Sequence, residues 1–186
     1  MEFPVPSTRV EAERFITDWL RFLSDRRTRG ELPTGWVYNG PEAFLLAHGR
    51  FFEPDLVAFP SRGIPKQCFD NAYRAARRSR GRYHYVEGIA FQHIPTQHAW
   101  LIDAKGRVLD PTWENGAAYF GVELDLTEVA RSRRGGWLSL LDDWQRHFPA
   151  ARGVPVIAKN AWFRTGDTQA PAPRLPDGDP HGICSP

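Results

Sequence analysis

At 186 residues, with 41% hydrophobic and 13% aromatic side chains, the chain can bury a core of ordinary domain size without staples or metals. The formal net charge of +2 argues against a dedicated nucleic-acid binder. Two cysteines, Cys68 and Cys184, make no disulfide framework and suit a reducing compartment. With no basic-then-apolar leader and no long apolar run, a soluble cytoplasmic protein is expected, with no membrane partner.

The first predicted element is a helix in "STRVEAERFITDWLRFLSDRRTRG". Thr8 and Glu11 form a capping box, Val10, Phe15, Ile16, Trp19, Leu20, Phe22 and Leu23 supply an apolar stripe, and Gly30 offers the stop. "PEAFLLAHG" reads as a short helix opened by proline and closed by glycine. From Phe51 to Ile64 the chain reads as irregular, broken by Pro54 and Pro60. A further helix is expected from about Lys66 to Ser79, with Phe69, Ala72, Tyr73 and Ala76 on one face.

"RYHYVEGIAF" reads as a strand, residues 96–113 as two more, and "AAYFGVEL" as another. "DLTEVARSRR", with Asp125 and Glu128 as a capping box, and "WLSLLDDWQRHF" read as helices near 125–147. From about Thr165 the composition turns to Gly, Pro and Asp, so residues 165–186 are expected to be a disordered tail after a single domain at 1–164. A helical first half before an antiparallel sheet makes an α+β fold. Arginines gather at Arg74, Arg77, Arg78, Arg80 and Arg82 and again at Arg131, Arg133 and Arg134, which reads as a solvated face or as a surface for an anionic partner.

Cys68 falls in the first turn of its predicted helix, where unpaired N–H groups and the helix dipole favour a thiolate and can stabilise an oxyanion. Asp70, just behind it, adds opposing negative charge. A lone cysteine can equally be a small apolar core residue. Cys184, near the end of the tail, cannot be preorganised as a nucleophile.

"AWLIDAKGRVLD" has the alternation of a hairpin around Ala104-Lys105-Gly106, a three-residue loop with glycine in the left-handed position. That loop pairs Leu101 with Leu109 and puts His98 and Asp110 on one face, within side-chain reach. A two-residue turn would shift the register by one and separate them. In the three-residue register, Asp110 can orient His98, leaving its other ring nitrogen to take a thiol proton. Trp100 and Trp113 read as core or as an aromatic cleft wall beside the pair. His84 and His93 lack the spacing of a zinc site, so no metal is expected, and without a glycine-rich phosphate loop no cofactor is expected either.

Three segments resemble the transglutaminase-like superfamily of cysteine enzymes, bacterial type. "QCFDNA" is similar to its C-x-D-x-A nucleophile motif, "RYHYVEGIAF" to the following strand, and "HAWLIDAKGRVLDPTW" to its H-A-W…D-P-T strand pair. Ile89 stands where the family strand carries an aromatic. The resemblance covers roughly residues 66–113. It implies a papain-like α+β core with the cysteine helix packed on an antiparallel sheet. It makes Cys68 the nucleophile, His98 the general base and Asp110 its orienting acid; no motif marks an oxyanion donor, for which Gln67 is the nearest amide candidate, with Asn71 behind it.

The expected activity is a thiol-dependent hydrolase, a protease or amidase acting on a peptide, protein or small amide through a Cys68 thioester. An acyltransferase (transglutaminase) or glutamine deamidase on the same residues is the alternative. A non-catalytic domain that binds through its arginine-rich face is the alternative of another class.

Overall fold

The computed structural model describes residues 6–27, 31–54, 59, 62–159 and 161. The proposed stop at Gly30, the tail at 165–186 and Cys184 lie outside the described residues. Helix α1 (Arg9–Arg27) starts at the capping box: the Glu11 N–H donates to Thr8 Oγ1 at 3.2 Å, and the Thr8 N–H donates to Glu11 Oε2 at 3.1 Å. Its buried face is Ala12, Ile16 and Leu20, narrower than the stripe expected, because Val10 and Phe22 point to solvent. Helix α2 (Pro41–His48) has proline in its first turn and ends at Gly49, as read from sequence.

A three-residue strand, β1 (Arg50–Phe52), then forms where the sequence reads as irregular. It exists only through its partner, β5 (Ala118–Glu123), against which Phe51 lies opposite Phe120. Helix α3 (Cys68–Arg78) packs Ala72 and Ala76 into the core, and β2 (His84–Phe91), β3 (Pro95–Ile102) and β4 (Val108–Leu109) follow. The five strands form one antiparallel sheet in the order β1-β5-β2-β3-β4. Among the described residues there are four helices, which makes the fold mixed α/β, and none of them is long and apolar enough to cross a membrane.

The sheet has two apolar faces. Tyr85, Ile89, Ala99 and Leu101 face the cluster that holds α1, α2 and α3, while Val86, Ala90, Trp100, Ile102, Val108 and Tyr119 form a second, smaller cluster with Phe52. Gly88 sits opposite Gly121, and a Cβ on Gly88 would lie 2.1 Å from the Phe120 carbonyl oxygen. Glycine is needed here because β5 approaches β2 this closely. At Gly121 the space a side chain would fill is taken by the Trp100 ring, 2.6 Å from the would-be Cβ.

Helix α4 (Leu126–Arg134) is capped by Asp125, which accepts from the Thr127 and Glu128 N–H groups at 2.7 and 3.3 Å. The Glu128 side chain does not return to complete the box. It pairs instead with Arg131 and Arg146. The second helix expected over residues 137–148 is absent: this segment is a chain of turns. Gly135 and Gly136 end α4, and the buried Glu87 carboxylate then takes the Leu140 and Leu141 N–H groups at 3.1 and 3.2 Å. Asp143 holds the Ser132 hydroxyl at 2.6 Å, and His147 and Phe148 adopt left-handed backbone.

Candidate active site

The hairpin loop is the three-residue one. Leu101 pairs with Leu109 and Ile102 with Val108, the Gly106 N–H donates to the Asp103 carbonyl at 2.9 Å, and Gly106 has φ +75°. Asp103 reinforces the loop by accepting from the Lys105 and Arg107 N–H groups at 2.8 and 3.1 Å. In this register His98 and Asp110 meet. His98 Nε2 lies 2.7 Å from Asp110 Oδ2, with the imidazole 1% and the carboxylate 0% exposed.

Asp110 is satisfied at every lone pair the site can reach. Oδ2 also accepts from the Tyr119 hydroxyl at 2.9 Å, and Oδ1 accepts from the Thr112 and Trp113 N–H groups at 2.8 and 2.9 Å. Burial, with the Asp110 carboxylate beside it, holds the Tyr119 phenol well above its usual range, so Tyr119 remains a donor. Trp113 stacks on the imidazole with ring centres 4.0 Å apart and planes inclined by 21°. This fits the proposed aromatic wall for Trp113, which is half-buried. It corrects the same proposal for Trp100, which is fully buried under the sheet and reaches no cleft.

Cys68 is the first residue of α3 and is half-buried with a free thiol. Its approach is set by Lys66, whose left-handed φ of 64° turns the chain into the helix. Gln67 occupies the N-cap position without making a capping hydrogen bond, and its side chain is exposed. Cys68 lies near enough to the His98 ring to help raise its pKa. Because Nε2 is engaged by Asp110, Nδ1 is the nitrogen left for the sulfur. Burial disfavours the charged ring and is the largest single influence. The hydrogen bonds and charges of Asp110 and Cys68 together outweigh it, and His98 is raised to about 9. The balance therefore favours the charged form of the ring.

Asp70, expected to work against the cysteine, is ion-paired with Arg133, which also lies over the Tyr73 ring at 4.6 Å. The pair offsets the carboxylate charge near the helix start. It also removes Arg133 from the solvated face on which the sequence placed it. Asn71 is not a free oxyanion donor. Its Nδ2 donates to the Ile64 carbonyl at 2.8 Å and to Thr112 Oγ1 at 3.0 Å, while Oδ1 accepts from the Ile64 N–H at 3.1 Å. It clips residues 63–64 to the turn after Asp110, and the Gly63 N–H completes the clip by donating to the Pro111 carbonyl at 2.8 Å.

The structure thus brings His98, Asp110 and Trp113 into contact, places Cys68 at the start of α3 near enough to influence His98, leaves Gln67 exposed and gives Asn71 a bracing part. Tyr119 and Thr112 were not singled out from sequence. Thr112 follows Asp110-Pro111 and could have been read as a turn partner, but Tyr119 carries no local signal and arrives only through β5. His84 pairs with Glu123 on the sheet, and His93 is exposed in the β2–β3 turn. Among the described residues no cluster of three or more His, Cys, Asp or Glu is placed to hold a metal. No family model, no curated protein and no solved structure matches the chain.

Proposed function

We propose that the protein is a thiol-dependent hydrolase of a peptide or other amide bond, with Cys68 as nucleophile, His98 as general base and acid, and Asp110 orienting His98. The observation that carries this reading is the fully buried His98–Asp110 hydrogen bond of 2.7 Å beside a cysteine at a helix start. A buried carboxylate needs compensation, since breaking such a pair usually costs about 3–5 kcal/mol. A plain hairpin has no use for one. The arrangement accords with a papain-like, transglutaminase-like core.

In the reaction, His98 takes the Cys68 proton as the sulfur attacks the substrate carbonyl. First-turn N–H groups of α3, free of a side-chain cap, face the developing oxyanion. His98 gives its proton to the leaving amine, and a thioester forms at Cys68. Water, deprotonated by His98, attacks the thioester, and collapse releases the acid as His98 returns the proton to the Cys68 sulfur. Asp110 keeps Nδ1 directed at the sulfur by holding Nε2, and Trp113 fixes the ring plane.

Alkylation of Cys68 by iodoacetamide, followed by peptide mass mapping across pH 5–9, tests the assignment. The wild type should react at pH 6 about tenfold or more faster than His98→Ala. Equal rates in the two proteins would remove Cys68 from the role of nucleophile.

A further inference from the structure

A cavity of about 610 Å³ opens along α3, within the size range of ligand pockets. Among the described residues its wall is cationic. Arg62, Arg74, Arg78 and Arg82 line it, and no described carboxylate does. Arg74 and Arg78 are exposed, one helical turn apart, and form no ion pair with any described residue; Arg62 has an ion pair with Glu114 outside the lining. The cavity and the site share structure. Asn71 and Pro111 line the cavity, Asn71 lies one helical turn beyond Cys68, and Pro111 follows Asp110 directly.

From this geometry we infer that the arginine-lined cleft receives an acidic peptide segment of the substrate, next to the amide bond that Cys68 attacks. The inference rests on the proposed hydrolase reading and names its substrate class. From Asn71 to Ser79 the helix advances about 12 Å, the length of about four residues of extended peptide. Arg74 and Arg78, one turn or about 6 Å apart on α3, match the spacing of alternate side chains on an extended chain, and Arg82 adds a further cation to the lining beyond the helix end. A peptide fits better than a nucleic acid for two reasons. Phe59 and Tyr83 pack against one another, with ring centres 6.1 Å apart, instead of offering open faces to bases. The site at the cleft's end is also suited to amide chemistry.

Fluorescence anisotropy of fluorescein-labelled hexaglutamate, flanked by two glycines at each end, measures the cleft directly on the full chain at low salt and at 0.15 M salt. The wild type and Cys68→Ala should bind it, more weakly at the higher salt. The exposed double variant R74E/R78E should lose about tenfold or more in affinity. The control R14E/R21E, which makes the same charge change on the exposed side of α1, should bind like the wild type. Saturating peptide should also slow alkylation of Cys68 by a bulky maleimide severalfold.

Binding that R74E/R78E leaves unchanged, or that R14E/R21E weakens equally, overturns the inference. So does an alkylation rate that ignores bound peptide. Tighter binding of a six-nucleotide thymidine oligomer through the same arginines overturns it in favour of a nucleic acid. Iodoacetamide reactivity reads Cys68 and anisotropy reads the cleft, so failure of the hydrolase reading and failure of the cleft assignment are seen separately.

Discussion

Asp110 is the residue on which the site depends. Its two oxygens each accept two hydrogen bonds, and its charge helps to keep His98 protonated. Asp110→Asn keeps the volume but must turn its NH2 group either toward the Thr112 and Trp113 N–H groups or toward His98 and Tyr119, which must then give up their donor roles. We expect a loss of about 3 kcal/mol in stability by urea denaturation, as for other broken buried pairs. The His98 titration, followed by NMR of the imidazole, should move from about 9 toward lower pH. An unmoved titration would show that Cys68 alone sustains the imidazolium. At this scale the sequence was informative because the decisive contact is local: a hairpin loop of three residues carries His98 to Asp110, and the loop's glycine announces itself. Tyr119 was not readable, since its hydroxyl reaches Asp110 only after β5 has paired with β2. Asn71 was misassigned because an amide at a helix start looks the same whether it awaits a ligand or braces a loop.

Elements held by their own chemistry were readable; those held by distant partners were not. α1, α2 and α3 carry caps, a proline or an apolar face within their own residues, and all form close to the expected bounds. The segment 137–148 has helical composition yet folds as turns, because a carboxylate on β2 claims its N–H groups. Glu87 is fully buried. Burial pushes its carboxyl above the usual range, against four donors: the Leu140 and Leu141 N–H groups, the Ser139 hydroxyl at 2.8 Å and the Tyr85 hydroxyl at 2.8 Å. Each Glu87 oxygen takes two of them. Glu87→Gln therefore sets an amide NH2 against one backbone N–H and forces the neighbouring hydroxyl to turn and accept, and we expect about 2 kcal/mol of destabilisation. Amide exchange at Leu140 and Leu141 should accelerate more than exchange in β3, which identifies the loss with the turn. Equal acceleration throughout would instead place Glu87 in the global core.

At the scale of the molecule, strand order was the least readable property. β1 and β5 are far apart in sequence, and β5 is inserted between β1 and β2, so no local pattern announces the pairing. The glycine pair Gly88 and Gly121 is its trace in the sequence, intelligible only once the strands are seen together. The assembled sheet also fixes how stability responds to pH, because it buries His98. Its folded-state value of about 9 lies above the ordinary value of 6.5, so its stabilising contribution is complete below about pH 6.5 and is lost as pH rises through about 9. At about 1.36 kcal/mol per pH unit, that gap corresponds to about 3 kcal/mol. Among the other shifted groups, Arg50 and His48 act outside this window. Burial lowers Arg50 to about 10, so it changes charge at higher pH; burial also lowers His48, whose contribution is lost as pH falls through the ordinary histidine value. Urea midpoints followed by tryptophan fluorescence should therefore decline between pH 6.5 and 9 in the wild type. In His98→Gln, which cannot take up the proton, the curve should be flatter over the same range. Parallel declines in the two proteins would assign the pH dependence to other groups and remove the imidazolium from the folded state's energetics.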